Sequence, residues 1–438
     1  MTPARAAERL GELGLDSRDI ESRRSLFELV LSRFTGGGVG APEHLFWVPG
    51  RLEVFGKHTD YAGGRTLVSA VPRGFAIAAR PRRDARIHLA DAARGEGVSF
   101  DTTVGTAAGT ETPAMSTGWR HYVHTVVRRL ARNFPGAALG ADLVFASDLP
   151  RASGMSSSSA LMVGVAAALG RAAELERRPE WRDNIRNTLD AASYYACIEN
   201  GLSFGALAGD AGVGTHGGSE DHAAIVCGKA GRMSAFGFVP MRHVTDVELP
   251  GDWRFVLTPS GVAADKTGGA RGPYNRLAKG AEVLLRLWNG TEPHASSLAT
   301  ALTSSPDAAD RLRALAVASR VEDWPPTSIL SRLDHFVGED ARVPLAVAAF
   351  NEADADVLGR LAAESQRDAE ALLGNQVPQT VALADAARGL GALAACSFGA
   401  GFGGSVWALV HGDEAAEFAQ RWHPAAFVAR PAPPLTVL

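Results

Sequence analysis

The chain has 438 residues, with 44 Lys plus Arg against 48 Asp plus Glu, a formal net charge of -4, and 46% hydrophobic and 21% charged residues. That length exceeds the size at which one hydrophobic core usually keeps growing, so two domains with a ligand cleft between them are expected, and the apolar content excludes a disordered chain. No basic excess marks a nucleic-acid partner, and no run approaches the ~20 uninterrupted apolar residues of a membrane-spanning helix.

The N-terminal stretch MTPARAAERLGELGLDSRD mixes both charge signs without a long apolar core and fits neither a signal peptide nor an anchor. Leu10, Leu13, Leu26, Leu29, Val30 and Phe34 fall near helical spacing and predict helix over 5–35, stopped by Gly36, Gly37 and Gly38. The run LFWVPGRLEV, Leu45 to Val54, is interrupted by Pro-Gly and predicts strands around a turn, followed directly by the turn-rich GKHTDYAGGR. Alternation predicts strands over 75–79 and 86–89, and Tyr122, Val123, Val126 and Leu130 share one side of a predicted helix. ADLVFASDLP predicts a strand ending at Pro150, which feeds a serine-rich turn and an alanine-rich helix reaching Leu175.

A polar connection over 240–255 divides a first domain, 1–245, from a second, 246–438. Helices are expected in the second over 274–288, 307–319, 340–349 and 354–373, with a glycine-rich strand near 400 and an extended end through Pro431, Pro433 and Pro434. Mixed strands and helices in both halves predict α+β domains. Cys197, Cys227 and Cys396 are widely spaced without a CxxC pair, which suits a reducing cytoplasm and gives no indication of zinc.

Chemistry concentrates in PRASGMSSSSALMVGVAAALG, Pro150 to Gly170. Gly154 permits close backbone approach, and Ser156 to Ser159 stand at a helix start, where free N–H groups and the helix dipole attract anions. A serine run alone is better explained as the cap of a core-packing helix. The spacing PxxxGMSSSS between a strand and a long apolar helix is more specific, and the lack of GK[ST] implies a phosphate cradle other than the P-loop.

That segment resembles the ATP-binding motif PxxxGLSSSA of the GHMP kinases, the family named for galactokinase, homoserine kinase, mevalonate kinase and phosphomevalonate kinase. Two further motifs stand in family order. GRLEVFGKHTDYAGGRTLVSAVPRG, Gly50 to Gly74, is similar to the galactokinase signature GRVNLIGEHTDYNGG, and FGAGFGGSVWALV, Phe398 to Val410, is similar to the glycine-rich third motif. GWRHYV, Gly118 to Val123, and GPYNR, Gly272 to Arg276, extend the likeness over most of the chain. The resemblance implies a two-domain α+β GHMP kinase fold with its active site in the cleft between domains. It also implies ATP and Mg2+ as cofactors, and phosphorylation of a sugar hydroxyl, expected to be the anomeric hydroxyl of a monosaccharide or sugar acid. Small molecules are then the partners, with no nucleic acid and no membrane. A noncatalytic sugar and nucleotide sensor is the rival reading, and retention of Arg51, Ser156 to Ser159 and Asp221 counts against it.

The resemblance also assigns residues. Asp221, seven residues before Gly228 in GGSEDHAAIVCG, matches the catalytic aspartate of the family's GIMDQFISLMG and is expected to accept the proton of the attacking hydroxyl. Arg51 matches the signature arginine, expected to hold that carboxylate ionised or to stabilise the moving phosphoryl group. ATP falls to Gly154, Met155, Ser156, Ser157, Ser158 and Ser159, with Gly401 and Gly403; magnesium falls to a serine of the run, Ser157 or Ser156, and to Glu199. Glu220 is a rival magnesium ligand, because the connection GLSFGALAGDAGVGTHGG is longer than usual. The sugar falls to Lys57, His58, Asp60 and Tyr274.

Several positions depart from the galactokinase pattern. Lys57 replaces the glutamate before HTDY, Glu53 stands in place of asparagine, Cys396 in place of an arginine, Phe398 in place of threonine, and GIMDQ becomes GSEDH. Two readings of Lys57 stand side by side: its ammonium meets a substrate carboxylate, or it pairs with Glu53.

Overall fold

A computed structural model describes residues 1–36, 40–102, 118–150, 152–263 and 271–438; Gly37 and Gly38 of the expected helix stop fall outside them. The first sheet holds β1 (His44–Phe55), β2 (Arg65–Pro81), β3 (Arg86–Asp91), β4 (Glu96–Asp101), β5 (Ala141–Ser147), β6 (Arg232–Gly237) and β7 (Arg242–Glu248). The second holds β8 (Trp253–Pro259), β9 (Ala394–Phe398), β10 (Ser405–His411) and β11 (Phe427–Ala429), in the order β11-β8-β10-β9. A last short strand, β12 (Thr436–Val437), returns to pair with β1. Among the described residues no helix is long and apolar enough to cross a membrane.

Pro49 and Gly50 do not end a strand as the sequence suggests. β1 runs through them, and its register with β2 shifts between Pro49 and Arg51. A bulge tolerates the missing proline N–H and turns the chain locally. Here it lets Arg51 donate its backbone N–H to the Met155 carbonyl at 3.1 Å, while a Cβ on Gly50 would stand only 2.8 Å from that oxygen. The bulge therefore docks β1 onto the serine-rich loop. β2 is long enough to serve two neighbours, pairing Arg65–Val68 with β6 and Phe75–Pro81 with β5.

The expected division at 245/246 needs correction. β7 continues to Glu248, so the crossing into the second sheet lies in the 250–252 turn, and the chain end comes back to the first sheet, where Ala432 donates to the Ala70 carbonyl at 3.0 Å. The helix expected over 340–349 is the end of a much longer one, Pro326–Glu352, which continues through Pro344. An interior proline costs a hydrogen bond. Leu333 and Phe336 anchor this helix in one apolar cluster and Val343 and Phe350 in another, so packing on both sides of Pro344 outweighs the local break.

One core runs beneath both sheets. Phe55 of β1 meets Trp407 of β10 edge-on at 6.0 Å, and Trp407 meets Phe255 of β8 at 5.8 Å. Burying a side chain such as Phe55 contributes about 1.5–3 kcal/mol, which makes this seam a firm floor for the cleft above it.

Candidate active site

Residues two apart on a strand share a face, so β1 presents Arg51 and Glu53 together. The first turn of the Glu220–Cys227 helix supplies Glu220 and Asp221 opposite them. Arg51 is buried and donates from Nε to Asp221 Oδ1 at 2.7 Å, from Nη2 to Glu220 Oε1 at 2.8 Å and from Nη1 to the Gly154 carbonyl at 3.2 Å. Burial alone would lower the guanidinium pKa, but Asp221, Glu220 and Glu53 outweigh it and raise the value. Burial lifts both Glu220 and Glu53 above the usual carboxylate range, with the Glu53 charge adding to the rise at Glu220.

The serine loop meets this cluster from the other side. Gly154 has φ 75° and Ser156 φ 59°, a left-handed pair that turns the chain into the Ser157–Ala172 helix. Met155 and the Ser156 hydroxyl are buried, and Ser156 Oγ has no hydrogen-bond partner; Ser157 and Ser158 stand half-buried at the helix start. Ser159 differs from its expected nucleotide role, since its hydroxyl donates to Asp221 Oδ2 at 3.2 Å. The glycine-rich turn between β9 and β10 seats on Gly154, where a Cβ on Gly399 would come 2.9 Å from the Gly154 oxygen. At Gly401 and Gly403 a Cβ would come 2.4 Å from Asn375 Nδ2 and the Val262 oxygen, so packing within the protein already demands both glycines.

At the far end, Asp60 Oδ1 accepts from the Tyr61 N–H at 2.8 Å and Oδ2 from the Glu220 N–H at 3.0 Å. A Cβ on Gly218 would fall 1.7 Å from Asp60 Oδ2, so only glycine fits there. His58 lies 3.0 Å from the Tyr61 hydroxyl through Nδ1 and 3.1 Å from the Ala400 carbonyl through Nε2, and its ring centroid is 5.7 Å from that of Tyr274. Glu199, at the end of the Thr188–Asn200 helix, has Oε2 3.2 Å from His222 Nε2. These groups line one open pocket, which brings together the expected Arg51, His58, Asp60, Glu199, Asp221 and Tyr274. Sequence reasoning missed Tyr61, His222 and the seating of Glu53 against Arg51; the exchanges at 53 and in GSEDH were the available signal.

Lys57 corrects the sequence reading. It is buried away from the pocket lining, its Nζ 2.9 Å from Ser365 Oγ and 2.7 Å from Cys396 Sγ. Glu339 Oε1 accepts from the Gly56 and Lys57 backbone N–H groups and from Ser365 Oγ at 3.0 Å, which supplies the carboxylate a buried ammonium needs. Glu53 instead lies beside Arg51, 3.9 Å from Nη2. Burial works against the Lys57 charge, yet Cys396 and Glu339 raise its pKa. A thiol at 396 leaves this ammonium unopposed, where an arginine would repel it. Lys57→Glu is thus expected to set a second carboxylate against Glu339 and cost several kcal/mol, on the order of the 3–5 for a broken buried pair. Denaturant unfolding would show it as a lower midpoint, with activity falling alike on acidic and neutral sugars. A changed acid-to-neutral preference at unaltered stability would refute this placement.

Fold and site together define a small-molecule kinase, in which Arg51 ties Asp221 to the serine-rich loop within the first lobe. Models of the galactokinase galactose-binding signature, the GHMP kinase N-terminal domain and the GHMP kinase C-terminal domain match residues 37–81, 121–229 and 346–429. The chain is 28% identical over 394 residues to the galactokinase of Roseiflexus sp. (strain RS-1), covering 88% of each. It is 34% identical over 104 residues to that of Pasteurella multocida (strain Pm70), a match spanning 24% of this chain and 26% of that one. The fold overlays the galactose complex of Lactococcus lactis galactokinase with TM-score 0.75, 22% identity and coverage of 94% of this chain and 100% of that one. Methanococcus jannaschii mevalonate kinase gives TM-score 0.56 at 12% identity, covering 90% and 100%. The chain belongs to the GHMP kinases, in their galactokinase-like branch.

Proposed function

We propose that this protein transfers the γ-phosphoryl group of ATP to the anomeric hydroxyl of a monosaccharide, giving a sugar 1-phosphate and ADP. The observation that carries the reading is Asp221: one oxygen is held by Arg51, the other by Ser159 of the serine loop, so the base is fixed to the phosphate cradle itself. The sugar oxygen bonds to the γ-phosphorus as the bond from that phosphorus to the bridging oxygen of ADP breaks, and the hydroxyl proton passes to Asp221. Arg51 keeps Asp221 ionised and, through its contact with the Gly154 carbonyl, stands where phosphoryl charge develops. Asp60, His58 and Tyr274 orient the sugar.

Magnesium fits the residues present. Glu199 Oε2 is buried and closes no hydrogen bond although His222 Nε2 lies 3.2 Å away, and a carboxylate with a serine hydroxyl is a donor set suited to this hard cation. Glu199 and Ser157 would hold it, since Glu220 is taken by Arg51. When bound, the ion neutralises charge on the phosphates being parted.

The sugar-acid alternative loses its motive with Lys57 outside the pocket, and nothing in the comparisons favours a noncatalytic sensor. ADP release measured over a panel of neutral, acidic and amino sugars, with 31P NMR of the product, tests the proposal. Sugar-dependent ADP release with phosphate on the anomeric oxygen is expected. Binding of sugar and ATP without turnover would establish the sensor instead.

A further inference from the structure

Arg51 faces three carboxyl groups, yet only Asp221 has a task in the transfer. Its Nη2 stands 2.5 Å from Asp221 Oδ1, 2.8 Å from Glu220 Oε1 and 3.9 Å from Glu53 Oε2. Glu53 and Glu220 are 1% and 8% exposed, and their side chains hydrogen-bond to each other. One oxygen of each, Glu53 Oε1 and Glu220 Oε2, meets no N–H or O–H donor among the described residues. Two buried carboxylates in contact repel, whereas a carboxyl and a carboxylate form a strong charge-assisted hydrogen bond. One proton between them supplies the absent donor and removes one of three negative charges gathered on a single guanidinium.

Both acids depart from the galactokinase pattern. Glu53 stands where the signature has asparagine, and Glu220 where GIMDQ has methionine. Either acid alone would add a buried negative charge beside Asp221; together they are the two halves of one hydrogen bond.

We infer that Glu53 and Glu220 hold one proton in common and act as a positioning pair, which leaves Arg51 free to fix Asp221 and to meet phosphoryl charge. With the proton in place, Glu220 takes one contact from Nη2, while Nε stays on Asp221 and Nη1 on the Gly154 carbonyl. Without it, two anions compete with Asp221 for the same cation, and the field at the phosphate cradle turns more negative. The effect on turnover rests on the kinase reading; the shared proton does not.

The other charged or titratable groups facing the pair are Arg51, Lys57, Asp60, Tyr61, Asp221 and Glu339. Burial opposes the charges of Arg51 and Lys57, yet their neighbours raise both; burial pushes Tyr61 up; and Glu339, against its burial, is held down by Lys57 and Arg342. None of these four changes charge near neutrality. Burial lifts Glu53 and Glu220 above the usual carboxylate range, so the shared proton leaves only as pH rises beyond it.

The test follows kcat against pH in the wild type, Glu53→Gln and Glu220→Gln, each scaled to its own maximum, beside infrared spectra of the same three proteins without substrate. An amide at either position donates the hydrogen bond and has no proton to lose. Wild-type kcat is expected to fall on the alkaline side by up to about tenfold per pH unit, and both variants to lose that fall. The wild-type spectrum at pH 6 should carry the carbonyl band of a protonated carboxyl, fading as pH rises and missing from both variants; its pH course in the wild type needs neither variant. An alkaline fall that persists in both variants, or a wild type without that band at pH 6, overturns the pair while leaving the kinase standing. A band that both variants lack, with no ADP release from any sugar, would sink the kinase reading and keep the shared proton.

Discussion

Asp221→Asn is expected to lower kcat by roughly 10²- to 10⁴-fold, the range for losing a positioned general base. The change is nearly isosteric. The oxygen of the introduced amide can still accept from Arg51 Nε, and its nitrogen can still meet the Ser159 hydroxyl, so the geometry of β1, the serine loop and the Glu220–Cys227 helix should survive. Stability should also hold, because the substitution removes one of the carboxylates crowded against Glu220. The loss therefore belongs to proton acceptance, and the KM for ATP should stay within a few-fold of wild type. Steady-state kinetics beside thermal unfolding separates these effects. Turnover within threefold of wild type would remove Asp221 from the role of base.

How much of this was legible in the sequence depends on how local the information was. The serine-rich turn was legible because small residues at fixed spacing before an apolar helix are read within a dozen positions, and Asp221 was picked out by the resemblance of its segment to the family motif rather than by its own surroundings. Arg51 was legible as a residue but not in its setting, since the bulge that docks it on Met155 looks like a strand end wherever Pro-Gly is met. Lys57 failed for a different reason. Its direction is decided by Glu339 and Ser365, 282 and 308 positions away, and nothing near Lys57 announces them. Pro344 misled in the same way: the local rule against proline is sound, and distant packing overrode it.

Arg51→Met should produce the largest loss of stability. Removing one member of a buried ion pair costs about 3–5 kcal/mol because its partner is left uncompensated, and here Asp221, Glu220 and Glu53 all lose the same cation. The deficit should depend on pH, with a definite sign. Burial raises the folded pKa of Glu53 and Glu220 above their ordinary 4.5, so the folded state binds more protons than the unfolded chain above that pH, and stability falls as pH rises. Arg51 opposes that rise in both groups; without it their folded pKa values climb further and the fall becomes steeper. Urea unfolding of wild type and Arg51→Met at pH 5.5 and pH 8 is expected to show a wider gap at the higher pH. A gap that is constant, or wider at pH 5.5, would mean that these carboxyl groups are not held charged by Arg51. Turnover should fall in parallel at both values, since Asp221 loses the guanidinium that orients it.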